Sequence, residues 1–120
     1  MAEEVRIPFN LHVLQTSGSN TTSQYLYTKQ FEPGYFYVVT AINAMDITDA
    51  AHQTKIGMLD GATPIVYKSA TIANAGDSVW FTGELFCKET DKIFAEFRAI
   101  GASDEIHLFV NGYKIKMQQD

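Results

Sequence analysis

Apolar and polar residues alternate with a period of two along most of this 120-residue chain. That period places successive side chains on opposite faces of a β-strand, whereas an amphipathic helix needs a period near 3.6. In the first such segment, VRIPFNLHV, the odd-numbered residues face one way and the even-numbered residues the other. Pro8 cannot donate a ladder hydrogen bond, so this strand is expected at the edge of a sheet. The chain is therefore predicted to consist of half-buried strands.

Turn-forming residues separate the remaining strands. The pairs Pro33-Gly34 and Asp60-Gly61 and the stretch from Asn74 to Asp77 are turn signals. Residues 44–54 lack a sustained helical period and are expected to form a long loop. The two strands on either side of the charged loop KETDK are expected to pair with each other. The predicted strands are 5–13, 23–31, 35–44, 54–60, 64–72, 78–87 and 92–100.

A further hairpin is predicted at the C-terminus, where Asn111-Gly112 is a preferred pair for a type I′ turn. Such a turn would place six apolar residues on one face and His107, Phe109, Lys114 and Lys116 on the other. The six are Ile106, Leu108, Val110, Tyr113, Ile115 and Met117.

Eight or nine short strands without a helical segment predict an all-β fold, an antiparallel β-sandwich. Several connections are longer than hairpins, which favours a jelly-roll or Greek-key topology over a meander. A chain of this length is expected to form one domain, residues 1–120, with a single core.

Composition excludes several classes of protein. The formal net charge is -5 and the nine basic residues are scattered, which argues against binding nucleic acid through its phosphates. The stretch MAEEVRIPF has neither a cationic region nor an apolar run, so we expect no signal peptide and synthesis in a cytoplasm. Cys87, the one cysteine, excludes an intrachain disulfide and is expected to be a buried, inert thiol.

The sequence contains no recognisable catalytic, cofactor or metal motif. The three histidines, at positions 12, 52 and 107, are far apart and match no metal-ligand spacing, so structural roles are expected. The carboxylates Glu84, Glu89, Asp91 and Glu96 alternate with basic residues and are read as a solvated face. A loop calcium site remains an alternative. Its candidate ligands are Asp46, Asp49, Asp60 and Asp77.

Large apolar residues occur on strand faces that point away from the predicted core. Three explanations remain open: burial against another subunit, which we favour; a flat platform for carbohydrate; or an error of phase, with both faces inside the sandwich. The residues assigned to a partner interface are Phe36, Val38, Trp80, Phe86, Phe94 and Phe109.

The stretches AGDSVWF and FVNGYKI, in a short acidic chain composed of strands, resemble jelly-roll modules of the tumour-necrosis-factor-like and viral kind. Among proteins of this length, the chain resembles the small decoration or cement proteins of tailed bacteriophage capsids. The resemblance implies a non-enzymatic virion component without a cofactor. It further implies a homotrimer or dimer that binds the major capsid protein or another virion protein.

The alternative function is a carbohydrate- or receptor-binding module of a phage tail or adhesin, in which Trp80 and neighbouring tyrosines stack on sugar. A cupin-like enzyme is disfavoured because the chain lacks a histidine-rich metal motif. For a decoration protein, the resemblance suggests the N-terminal stretch and the loops TSGSNTTS and AMDITDAAHQT as adhesive parts.

Overall fold

The computed structural model describes residues 5–18, 23–49 and 52–117. These residues form eight strands and no helix, so the all-β prediction is confirmed. None of the described residues forms a helix long and apolar enough to cross a membrane. The strands are β1 (Arg6–Thr16), β2 (Ser23–Tyr27), β3 (Tyr35–Asp46), β4 (Gln53–Asp60), β5 (Thr63–Thr71), β6 (Ser78–Cys87), β7 (Lys92–Arg98) and β8 (Glu105–Lys116).

The strands form two four-stranded antiparallel sheets, with orders β1-β8-β3-β6 and β2-β7-β4-β5. Eight strands in two sheets of this order form a jelly roll, in which most connections cross from one sheet to the other. Among the strands of the described residues, the hairpin between β4 and β5, predicted from Asp60-Gly61, is the one connection that joins paired neighbours. β1 lies at the edge of its sheet, as Pro8 indicated.

The predicted C-terminal hairpin is wrong, because β8 continues through Asn111-Gly112 between β1 and β3. Glycine is required here for a different reason: a Cβ on Gly112 would collide with the backbone of Val38, which passes directly beside it. β3 bulges next to this point, and its register with β8 shifts between Val39 and Ala41.

The continuous strand reverses the predicted orientation of the residues after Gly112. Tyr113 and Ile115 share the outward phase of Phe109, while Lys114 points to the inner side. The Lys114 Nζ lies 4.3 Å from the centre of the Tyr35 ring and 3.3 Å from Glu32 Oε2. These contacts satisfy a charge that the hairpin would have left on the solvent face.

The predicted pairing of the two strands around KETDK is also wrong. β6 pairs with β3, whereas β7 lies between β2 and β4 in the opposite sheet. The connecting turn is closed by the Asp91 N–H, which donates to the Lys88 carbonyl oxygen (2.9 Å), and by the Lys88 N–H, which donates to Asp91 Oδ2 (3.0 Å). β6 and β7 bury their apolar faces in the same core from opposite sheets. The alternation of apolar residues is the same for a hairpin and for a crossover between sheets, so it did not distinguish them.

The core lies between the sheets. Its fully buried centre includes Ile93, Ala95 and Phe97 of β7 and Ile106 and Leu108 of β8. The predicted loop 44–54 is shorter than expected because β3 extends to Asp46 and β4 begins at Gln53; residues 50–51 lie outside the described part.

The prediction that Cys87 is buried is confirmed. Burial raises the pKa of its thiol to about 12, with a smaller contribution from the negative charge of Asp91.

Candidate interaction face

The side of the β1-β8-β3-β6 sheet that points away from the core is called the outer face. Strand register arranges its side chains in rows that run across all four strands. In the order β1, β8, β3, β6, the rows are Leu14, His107, Met45 and Ser78; His12, Phe109, Asn43 and Trp80; Asn10, Asn111, Ala41 and Thr82; and Pro8, Tyr113, Val38 and Phe86.

An aromatic cluster covers one end of the outer face. Val38 lies opposite both Phe86 and Tyr113 and is only 1% exposed, although it is not part of the inner core. The rings of Phe36 and Phe86 lie 5.5 Å apart, and Phe86 remains 59% exposed. Val38 is therefore buried by outward-facing neighbours, and the rings that cover it are themselves open to solvent.

The second aromatic row contains Trp80, which is 51% exposed. The Lys68 Nζ lies 4.6 Å from the centre of its ring, so a cation–π contact occupies part of the indole. In the same row, the rings of His12 and Phe109 stack at 4.3 Å.

The histidines of the outer face form a pair. His12 Nε2 and His107 Nδ1 lie 2.9 Å apart, and His107 Nε2 lies 3.4 Å from Glu105 Oε2. A His107 ring that carries its proton on Nε2, facing the carboxylate, leaves Nδ1 free to accept from His12. The predicted structural role of these residues thus takes the form of a hydrogen-bonded pair on the surface.

Formal charge is sparse on this face. The four complete rows contain no lysine, arginine or carboxylate. The charged groups around them are Arg6 at one end, Glu105 at the other, Glu84 on β6 between Thr82 and Phe86, and Lys68 over the Trp80 ring. The opposite sheet directs Lys55, Glu96 and Arg98 outward, with Ser23 Oγ donating to Glu96 Oε2 (2.7 Å). The outward side of the opposite sheet therefore combines formal charges with the exposed rings of Tyr25 and Tyr27, whereas the four rows of the outer face carry no formal charge.

Five of the six predicted interface residues share the outer face. Phe94 is the exception: it lies on the outward side of the opposite sheet, where it is 2% exposed and its ring is 6.4 Å from that of Tyr25. The structure also adds Tyr113 and Ile115, which the hairpin prediction had placed in the core. Phe109, Tyr113 and Ile115 share the odd-numbered phase, which indicates a common face only when β8 is treated as one continuous strand.

The four aspartates considered as calcium ligands do not come together. Asp60 pairs with Lys88 (3.1 Å), and Asp77 accepts from the backbone of Asn74 (3.2 Å). Asp46 is buried, and its Oδ1 accepts from the backbone N–H of Asp49 (3.1 Å). Over residues 5–18, 23–49 and 52–117, no group of three histidine, cysteine or carboxylate side chains is arranged to hold a metal ion.

Asp46 belongs instead to a buried polar cluster at the end of the sandwich. Its Oδ2 lies 3.2 Å from His52 Nε2 without the alignment of a hydrogen bond, and Asp104 is buried beside it. Burial, followed by hydrogen bonding to Asp46 and by the negative charges of Asp46 and Asp49, raises the Asp104 pKa to about 7. The cluster therefore favours the protonated form of Asp104.

No protein-family model matches the chain, and no curated protein matches it. Among solved structures, it is similar to a protein of the Bacillus endospore appendages, described as a novel family of disulfide-linked pili. That match has a TM-score of 0.51 and 12% identity, and it covers 98% of this chain and 93% of the other. At this identity, the similarity establishes a shared fold and nothing more.

Two further structures have lower scores. A pentameric capsid protein isolated from metagenomic phage sequences has a TM-score of 0.37 and 19% identity, covering 92% of this chain and 60% of the other. The structure of the Drosophila NLP core, described as providing insight into pentamer formation and histone binding, has a TM-score of 0.39 and 15% identity. The match covers 90% of this chain and 99% of the other.

Proposed function

We propose that the protein is a non-enzymatic structural protein of a bacteriophage virion. It self-associates as a trimer or dimer through the outer face and decorates the assembled capsid shell. The observation that carries this proposal is the apolar outer face, where Phe86 and Trp80 stay more than half exposed among rows without formal charge. Soluble proteins seldom leave such a patch to water unless another surface covers it.

A decoration protein acts by mass action. It binds the assembled shell and not the free shell subunits, so its binding free energy adds to the stability of the shell. The jelly roll suits this role because its two sheets provide a rigid support for a wide surface. Synthesis in the host cytoplasm followed by incorporation into the virion completes the proposal.

Light scattering coupled to gel filtration tests the self-association. We expect the wild-type chain to have the mass of a dimer or trimer at high concentration. Replacing both Trp80 and Phe86 with serine should weaken association at least about tenfold, because buried aromatic anchors usually dominate interface energy. Tyr25→Ser, on the opposite sheet, is the matched control. A wild-type chain that stays monomeric at millimolar concentration would overturn the proposal.

Mass spectrometry of purified particles tests the virion part. Particles of the phage that encodes the chain should contain it in many copies per shell, and its absence from them would refute decoration. The alternative, carbohydrate binding, predicts that Trp80 fluorescence responds to a glycan panel. We expect no response, since the exposed tyrosines Tyr25 and Tyr27 lie on the other sheet and cannot extend a platform around Trp80.

A further inference from the structure

The outer face has the dimensions of a protein–protein interface. From Glu105 to Ile115, β8 spans ten residue steps, which is about 33 Å at the rise of an extended strand, and four strands are about 19 Å wide. The projected area is on the order of 600 Å², close to the roughly 800 Å² that each partner contributes to a standard interface. A second copy of the same sheet would therefore cover it almost completely.

The charges at the two ends of this face have opposite signs. Arg6 lies in the row of Ile115 and Phe36, with its guanidinium carbon 4.6 Å from the centre of the Tyr113 ring. Glu105 lies beyond the other end, paired in register with Thr16. The intervening rows lack formal charge, and Glu84 and Lys68 lie only along the β6 edge, so Arg6 and Glu105 supply the charges at the two ends of the face.

We propose that two copies of the chain pair through their outer faces with their strands antiparallel, so that Arg6 of each copy meets Glu105 of the other. This inference rests on the self-association proposed above and adds its partner, symmetry and orientation. A two-fold axis across the strands brings opposite charges together at both ends. An axis along the strands would instead exchange β1 with β6 and keep like ends of the face together, so that Arg6 of one copy would lie far from Glu105 of the other.

Along β6, the antiparallel arrangement also places large side chains over small ones. Reversal about the centre of the face brings the row of Phe86 over the row of Ser78, and the row of Trp80 over the row of Thr82. The exposed rings of β6 on one copy thus meet short β6 side chains on the other, which allows the two surfaces to pack closely along this strand.

Sedimentation of charge-reversal variants tests the orientation. Arg6→Glu and Glu105→Arg should each raise the dimer dissociation constant at least about tenfold at low salt, because each creates two repulsive pairs. The double variant restores both attractive pairs and should return to within about threefold of wild type. Higher salt should reduce the defect of each single variant, since screening weakens exposed pairs. Lys55→Glu, on the opposite sheet, is the control.

Each outcome has a defined meaning. If the wild type never associates, the proposed function fails and the orientation fails with it. If the wild type associates but the double variant stays as weak as the single variants, self-association stands and the antiparallel orientation is refuted. Far-UV circular dichroism of the four variants tests whether each remains folded. For a folded variant, a lower average mass in sedimentation reflects weaker association at the interface.

Discussion

Asp104→Asn should stabilise the protein at neutral and alkaline pH. The carboxyl is 2% exposed and lies beside the buried Asp46, and its pKa is raised to about 7 from 3.8. The folded state therefore favours the protonated form. The resulting stability is fully present below pH 4 and is lost as the pH rises through about 7.

The magnitude follows from the size of this shift. A shift of about three pKa units corresponds to a loss of at most about 4 kcal/mol in the free energy of unfolding between pH 4 and pH 7. For a chain of this size, that is about 15 °C in melting temperature. Asparagine resembles the protonated carboxyl at every pH, so the variant should avoid this loss and match the wild type near pH 4.

Thermal melts between pH 4 and pH 9 provide the measurement. The difference in melting temperature between Asp104→Asn and wild type should be near zero at pH 4 and should grow up to pH 8. Asp60→Asn, which removes an exposed ion pair with Lys88, should produce a small change that does not grow in this way. A pH-independent difference for Asp104→Asn, or its destabilisation at pH 8, would refute the raised pKa of the Asp104 carboxyl.

Two further predictions concern the fold. Gly112→Ala should lower the free energy of unfolding by about 3 kcal/mol or more, because its Cβ would collide with the Val38 backbone. Gly61→Ala, at φ 60° and in open space, should lower the free energy of unfolding by only about 1–2 kcal/mol, as measured by urea titration. Equal losses for the two variants would contradict a continuous β8 packed against β3. The Cys87 thiol, with its pKa near 12, should react with a disulfide reagent at pH 8 only after unfolding. Rapid labelling of the native protein would show that the core is open there.

Local sequence signals identified most of the strands. The period of two and the turn residues identified β1 to β7, the β4–β5 hairpin and the edge position of β1, whereas β8 was predicted as two strands of a hairpin. They also placed Phe36, Trp80 and Phe86 away from the core. The position of a strand and the face on which each side chain lies depend on the alternation of neighbouring residues, which is determined within a few residues along one strand.

The choice of strand partner was decided by the tertiary structure. Asn111-Gly112 has the composition of a turn, yet Gly112 lies where the backbone of β3 passes too closely for any side chain. A glycine is compatible with both situations, and only contacts with a distant strand distinguish them.

The outer face could not be derived from the sequence for the same reason. Its rows join residues of β1, β8, β3 and β6, which are distant in the chain, while Phe94 has the same local pattern and lies on the other sheet. In β1, β6 and β7, the sequence by itself determined which side chains leave the core, whereas Tyr113 and Ile115 of β8 were predicted on the inner face. The assembly of those side chains into one surface was decided by the folding of the strands into two sheets, because packing between distant segments selects sheet neighbours.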